Sequence, residues 1–237
     1  MRLPTASKLD LFRECSGPWY LPLARQEYGK AAEKGKALHK FAETGVPGAV
    51  TGRISTAEGA VERSMADLPT WGPAGDVDMR ETVVRFNPYN QRAEIIGAAK
   101  VARPYGDEDT TWIWGTADIV GCCGVDNSKL LVADLKTGSP AWLKMPWGPK
   151  GTLDGASLQV PFLAAVINRV VRAKSAVLAI VSSQAERAFT AEYASSDLDK
   201  VLDLVSDVVS HPPTTLRVGE WCTFCPVRGN CPLWQGS

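Results

Sequence analysis

The sequence has few of the features that mark a membrane or secreted protein. No apolar run among its 237 residues approaches the ~18 residues that a membrane span needs. The opening stretch MRLPTASKLDLFREC is polar where a signal peptide would be apolar, so we expect a cytoplasmic protein. Basic and acidic residues number 26 each, and the formal net charge is zero. A surface coated in positive charge is therefore excluded, whereas a local basic cleft is not.

What remains is an ordinary globular composition. Apolar residues make up 45% of the chain and charged residues 22%, which supports a packed core. The length fits one large domain, and no internal repeat is present. We expect a single domain over 1–237, with a helical part at 1–78, a sheet core at 79–195, and a C-terminal helix and cysteine segment at 196–237.

Six cysteines need an explanation, because a reducing compartment disfavours three disulfides. Cys122 and Cys123 are adjacent in an apolar, strand-like run. They would face opposite sides of a sheet, and we interpret them as small buried hydrophobes. The other four form a widely spaced set: Cys15, Cys222, Cys225 and Cys231.

This four-cysteine set has the spacing of a metal site. The C-x2-C pair lets one tight turn direct two thiolates at a common centre, and Pro226 and Gly229 let the chain curl to deliver a third. Cys15 would then join the two ends of the chain. Four thiolates suit zinc or an iron–sulfur cluster, and spacing alone does not choose between them. The alternative is a set of ordinary buried cysteines.

Hydrophobic periodicity predicts a helix at 28–44, with His39 as the polar member of its apolar stripe. A C-terminal amphipathic helix is expected to have Ser196 as its N-cap. The remaining segments follow strand patterns at 79–86, 93–102, 111–123, 129–138, 175–183 and 188–194, and helix patterns at 55–67, 157–172 and 195–210.

Charged residues interrupt two of the apolar strands. Period-2 geometry places Asp134 and Lys136 on one face of their strand, and Asp118 is a lone acid in the strand before it. If these strands pair as a hairpin, the two aspartates converge and form an oxygen-rich site for Mg²⁺ or Mn²⁺. His39 would add a nitrogen ligand. The structural alternatives are a core histidine, an Asp134–Lys136 ion pair, and a turn position for Asp118.

The order of these motifs resembles the PD-(D/E)XK nuclease superfamily, in its RecB-like branch. The order is GKALH ending at His39, GTAD ending at Asp118, DLK at 134–136, and then a helix with Gln159. The cysteine arrangement is similar to that of the CRISPR-associated four-cysteine iron–sulfur exonucleases and AddB-type nuclease domains. One departure is Leu163, at a position where the family often has tyrosine. The family glutamate that precedes the first aspartate would correspond to Glu81.

The resemblance implies a fold and a set of roles. The fold would be α/β, with a mixed central sheet flanked by helices and a helical lobe closed by a [4Fe-4S] cluster on the four cysteines. A Mg²⁺ or Mn²⁺ ion would be bound by His39, Asp118, Asp134 and the carbonyl of Leu135. Lys136 would orient the attacking water or stabilise charge on the phosphate, and Gln159 would support the site.

The expected activity is DNA hydrolysis from single-stranded ends, with DNA as the partner and CRISPR adaptation or recombination proteins as candidate protein partners. The sequence does not distinguish among CRISPR adaptation, recombination and phage replication as the pathway. A metal-dependent endonuclease and a non-catalytic DNA-binding module are the alternatives. Basic and aromatic residues near the site would contact the strand: Lys36, Lys40, Trp142, Lys144, Trp147 and Lys150. Otherwise these are a solvated helix face and a loop whose tryptophans pack on the core.

Overall fold

The alternating apolar segments pair into one seven-stranded sheet. The computed structural model describes residues 3–24, 30–44, 56–72, 80–98, 111–125, 128–137, 157–219, 222–223 and 225–234. The strands are β1 (Trp71–Gly72), β2 (Arg80–Asn87), β3 (Arg92–Ala98), β4 (Ile113–Cys123), β5 (Lys129–Lys136), β6 (Ser175–Ser182) and β7 (Arg187–Ala194). Their order is β3-β2-β4-β5-β6-β7, with β1 beside β4. Only the β5–β6 pair is parallel, so the sheet is mixed, as predicted.

Helices cover both faces of this sheet. They are α1 (Leu9–Glu14), α2 (Gly17–Tyr20), α3 (Lys30–Thr44), α4 (Thr56–Ala66), α5 (Gln159–Val171) and α6 (Ser195–Ser210). Apolar residues of α5 and α6 form one core with one face, and those of α3 and α4 form a second core with the other. The predicted α/β architecture is confirmed. None of the described helices combines the length and apolar character needed to cross a membrane.

Most predicted elements agree with the structure within a few residues, but the N-cap of α6 does not. The helix begins at Ser195, its N-cap is Ala194, and no side chain caps it. Ser196 as N-cap is therefore wrong. The Ser195 hydroxyl instead accepts a hydrogen bond from Asn168 Nδ2 at 2.9 Å. Residues 99–102 of the strand predicted at 93–102 lie outside the described residues.

The β4–β5 hairpin positions the two aspartates. Antiparallel pairing ends at Ile119 opposite Ala133, and Asp118 and Asp134 are the next residues on the two strands. The carboxylates therefore come from neighbouring strands at the same end of the hairpin, which confirms the predicted convergence. On β5 the strand period also separates the faces: Val132 belongs to the α5–α6 core, whereas Leu131, Ala133 and Leu135 belong to the α3–α4 core.

The adjacent cysteines of β4 face opposite sides, as predicted. Cys123 is 1% exposed in the α3–α4 core, and Cys122 packs at the edge of the α5–α6 core. Burial raises the pKa of both thiols, so they remain protonated and behave as small apolar side chains.

Candidate active site

A cleft of about 670 Å³ opens at the end of the β4–β5 hairpin. Elements α3, β2, β4, β5 and α5 all contribute to its walls. The cleft brings together the residues that the sequence singled out: Lys36, His39, Lys40, Asp118, Asp134, Leu135, Lys136 and Gln159. Glu81 from β2 also lines it. Side chains more than a hundred residues apart in sequence therefore share one solvent-accessible space.

One side of the cleft has a compact set of metal-ligand atoms. A ligand atom from each of His39, Glu81 and Asp118 lies within 4.8 Å of the other two, and no other such group occurs in the described part of the chain. Asp118 is fixed by the backbone N–H of Leu135, which donates to Oδ2 at 2.6 Å. Its Oδ1 lies 3.5 Å from His39 Nδ1. Carboxylate oxygens with one imidazole suit Mg²⁺ or, because of the nitrogen, Mn²⁺.

Glu81 reaches this group through an uncommon backbone conformation. Its φ is 53°, in the left-handed region that non-glycine residues rarely adopt. The residue lies on β2 between Arg80, opposite Ile119, and Thr82, opposite Ala117, so it stands beside Asp118. Such strain persists where surrounding structure enforces it, often at functional sites. The sequence indicated Glu81 only through the family resemblance, because the local signal is a dihedral angle and not a residue pattern.

Glycine and alanine at position 81 should separate strain from ligation. Both Glu81→Gly and Glu81→Ala remove the carboxylate, so both should weaken Mn²⁺ binding. Only glycine tolerates the positive φ, which should make Glu81→Gly more stable than Glu81→Ala by about 1 kcal/mol, or roughly 3 °C in Tm. Calorimetric titration with Mn²⁺ and thermal unfolding without metal measure the two effects. A higher Tm for the alanine variant would contradict this account.

The other side of the cleft is a closed triangle of polar contacts. Gln159 Nε2 donates to Asp134 Oδ1 at 2.8 Å, and Lys136 Nζ donates to Gln159 Oε1 at 2.9 Å. Lys136 Nζ also lies 2.6 Å from Asp134 Oδ2, but the angles are not those of a hydrogen bond, so this contact is an ion pair. The triangle fixes the lysine beside the carboxylates. The Asp134–Lys136 ion pair that was the structural alternative is therefore present, and both of its residues line the cleft.

Burial dominates the electrostatics of Asp134, which is 3% exposed. Loss of solvation raises the pKa of its carboxyl group, against the attraction of Lys136, and the charge of Asp118 acts in the same upward direction. For His39, burial lowers the pKa, but the hydrogen bond to Asp118 and the charges of Asp118, Asp134 and Glu81 outweigh it and raise the pKa overall. Crowded negative charge of this kind attracts a divalent cation.

Gly115 of the GTAD segment packs directly against Leu163, so the residue type at each position depends on the other. A Cβ at Gly115 would lie 2.5 Å from Leu163 Cδ2 and 2.7 Å from Ala6 Cβ, so α5 packs directly on the β4 backbone. Leu163 is fully buried in that contact. The side chain at the position where the family often has tyrosine therefore packs in the core.

Only part of the predicted nucleic-acid contact set lies in the described structure. Lys36 and Lys40 are exposed on α3 and line the cleft. The other four residues lie outside the described residues: Trp142, Lys144, Trp147 and Lys150.

The four-cysteine set lines a second cavity, and none of the carboxylates of the cleft lines that cavity. Backbone N–H groups of Gly17 and Arg217 each donate to Cys15 Sγ at 3.4 Å, so the two ends of the chain meet at this thiol. Cys222 Sγ accepts from the Gly219 N–H at 3.4 Å. No three of these sulfur atoms lie within 4.8 Å of one another, so within the described residues the thiols form no compact metal site.

Comparisons with known proteins address the family. No curated protein matches the chain. Among solved structures, the chain is similar to one titled "Crystal structure of SSO0001", with 16% identity, a TM-score of 0.41, and coverage of 88% of this chain and 74% of that one. That likeness carries no further conclusion. The model of the PD-(D/E)XK nuclease superfamily matches residues 5–232, which include the whole cleft. The chain therefore belongs to the PD-(D/E)XK nuclease superfamily.

Proposed function

We propose that this protein, whose superfamily implies metal-dependent nuclease activity, is a DNA exonuclease that hydrolyses phosphodiester bonds from single-stranded ends. The observation that carries the proposal is the convergence of Asp118, Asp134, Lys136 and Gln159 in one cleft beside the His39–Glu81–Asp118 group. A DNA-binding module without catalysis would not need a lysine fixed beside two carboxylates, whose burial is costly.

The cleft residues fit a divalent ion. His39, Glu81 and Asp118 supply three ligand atoms in a compact group. Asp134 is not a member of that group, but its buried carboxylate lines the same cleft. The family resemblance implies that the carbonyl oxygen of Leu135 would be a further metal ligand. Glu81 is added to the proposed ligands because of its distance from His39 and Asp118. When bound there, Mg²⁺ or Mn²⁺ would supply an activated water nucleophile and neutralise charge on the phosphate.

The contacts among Asp134, Lys136 and Gln159 support separate roles for Lys136 and Gln159. Lys136 is 24% exposed, so its ammonium group can reach a phosphate while the contact with Asp134 holds it in place. It would orient the attacking water or stabilise the negative charge that develops on the phosphate. Gln159 touches both Asp134 and Lys136 and would act as a positioning residue.

The second cavity supports a [4Fe-4S] cluster on Cys15, Cys222, Cys225 and Cys231. A tetrahedral zinc site with Zn–S bonds of about 2.3 Å needs sulfur atoms about 3.8 Å apart. The thiols share a cavity, but no three of their sulfur atoms lie within 4.8 Å of one another. Thiolates that bind the corners of a cube are farther apart, and N–H···S bonds such as those at Cys15 and Cys222 stabilise them. The cluster would hold the two ends of a single domain together.

Dependence on ends can be tested with closed circles. With Mn²⁺, the protein should degrade linear single-stranded DNA and leave covalently closed circular single strands intact, since no end can enter the cleft. Gel electrophoresis of both substrates in one reaction measures this, with EDTA as the metal-free control. Rapid cutting of the closed circles would contradict the exonuclease proposal and favour an endonuclease.

The resemblance to four-cysteine exonucleases supports end dependence, and it also supports partners in CRISPR adaptation or recombination.

A further inference from the structure

Two tryptophans and an arginine form a stack on the face of the sheet that carries Asp118. Along β4, Ile113, Gly115 and Ala117 are buried, whereas Trp114, Thr116 and Asp118 alternate with them and are half-buried. Trp114 lines the cleft. It lies four residues from Asp118, which is about 13 Å along a strand. The tryptophan is thus at the far wall of the same cleft.

Strand pairing places Arg85 directly opposite Trp114. Its guanidinium carbon is 4.2 Å from the centroid of the Trp112 ring and 5.3 Å from that of Trp114. Glu94 on β3 orients this arginine by accepting a hydrogen bond of 2.6 Å from Arg85 Nε, and it also forms an ion pair with Arg92 Nη2 at 2.7 Å. We call Trp112, Arg85 and Trp114 the Trp–Arg stack.

The charges around the stack favour a polyanion. Arg85 and Arg92 together carry two positive charges, and Glu94 carries one negative charge, so the group has a net positive charge. The Arg92 side chain is 67% exposed. The aromatic rings add flat surfaces on which any base can stack, and arginine planes do the same. Bases of a duplex are already stacked on each other, so only a single strand can use such surfaces.

We infer that the Trp–Arg stack is a base-stacking platform for the single strand that enters the cleft. The inference rests on the proposed nuclease function and adds the residues that would contact the bases of the single strand. At 3.4 Å for each stacked nucleotide, the distance from Asp118 to Trp114 corresponds to about four nucleotides. The platform would therefore bind the strand about four nucleotides from the hydrolysed bond.

Binding by aromatic and aliphatic variants distinguishes this platform from a purely structural stack. Fluorescence anisotropy in EDTA would measure the Kd for a labelled oligothymidylate of about 12 nucleotides, which spans about 40 Å when stacked, and for a duplex of the same length. Trp114→Leu should weaken single-strand binding about 10-fold, equivalent to about 1.4 kcal/mol, and Trp114→Phe should restore most of it. Trp112→Leu gives a second variant in case Trp114→Leu does not fold.

Phe189→Leu is the matched control, because Phe189 contacts Arg187 at 4.7 Å on β7, the opposite edge strand. It should bind single strands like wild type. Equal single-strand affinity for wild type, Trp114→Leu and Trp112→Leu would overturn the inference, as would equal weakening by Trp114→Phe and Trp114→Leu. Cleavage of the same oligomer by wild type with Mn²⁺ is scored separately. If that cleavage fails, the proposed function fails; if it succeeds while the leucine variants bind normally, only the platform fails.

Discussion

Asp134→Ala should abolish DNA hydrolysis, with a loss of about 10³-fold or more, and should leave the fold intact. The carboxylate is 3% exposed and close to Asp118, so burial and like charge both oppose its ionised form. Removing it relieves those costs. The same removal takes an ion-pair partner from Lys136 and would take a proposed ligand from the metal ion. Rates on linear single strands with Mn²⁺, together with Tm without metal, measure both effects.

Two companion variants test the division of roles. Lys136→Ala should be equally inactive but should still bind Mn²⁺ in calorimetry, because the lysine is not a ligand. Asp199→Ala is the matched surface control, since Asp199 on α6 is 52% exposed, pairs with Arg169 on α5 and does not line the cleft. Its activity should equal that of wild type. Full activity in purified Asp134→Ala or Lys136→Ala would remove these residues from the site.

Cys15→Ala should remove the iron and much of the stability together. Wild-type protein purified without oxygen should be brown, with about four iron and four sulfide per chain. Because binding of the proposed cluster would supply folding energy to a segment with few regular elements, loss of about 4 kcal/mol is expected, or roughly 10 °C in Tm. Cys15 is the informative choice, since it joins the N-terminal helices to the C-terminal segment at Arg217. Iron and sulfide analysis and thermal unfolding provide the measurements.

Cys122→Ala is the control for this experiment, because Cys122 lies on β4 against the sheet core. It should keep its colour and its iron. Loss of colour in this variant would show that the cluster is held elsewhere. Stoichiometric zinc without iron in wild type would make the second cavity a zinc site. Unchanged iron in Cys15→Ala would exclude this cysteine as a ligand.

Much of the fold and half of the site follow from short-range pattern. Strand and helix periods repeat within two to four residues, so β4, β5 and α5 can be predicted from local sequence alone. The same period places Asp134 and Lys136 on one face of β5, as observed. The order of the motifs then identifies the superfamily, because it depends on residue type and chain order and not on distances.

The sequence by itself therefore determined the elements and the superfamily, and it predicted the convergence of Asp118 with Asp134 on the condition that β4 and β5 pair, which the structure shows. Only the tertiary structure decided the positions of Glu81, whose left-handed backbone aims it at Asp118, and of Arg85, which faces Trp114 across two strands. It also decided that Leu163 packs on Gly115 and that the thiols share a cavity without a compact zinc geometry. The physical reason is that strand register and backbone strain depend on contacts between residues far apart in the chain, which no local period encodes.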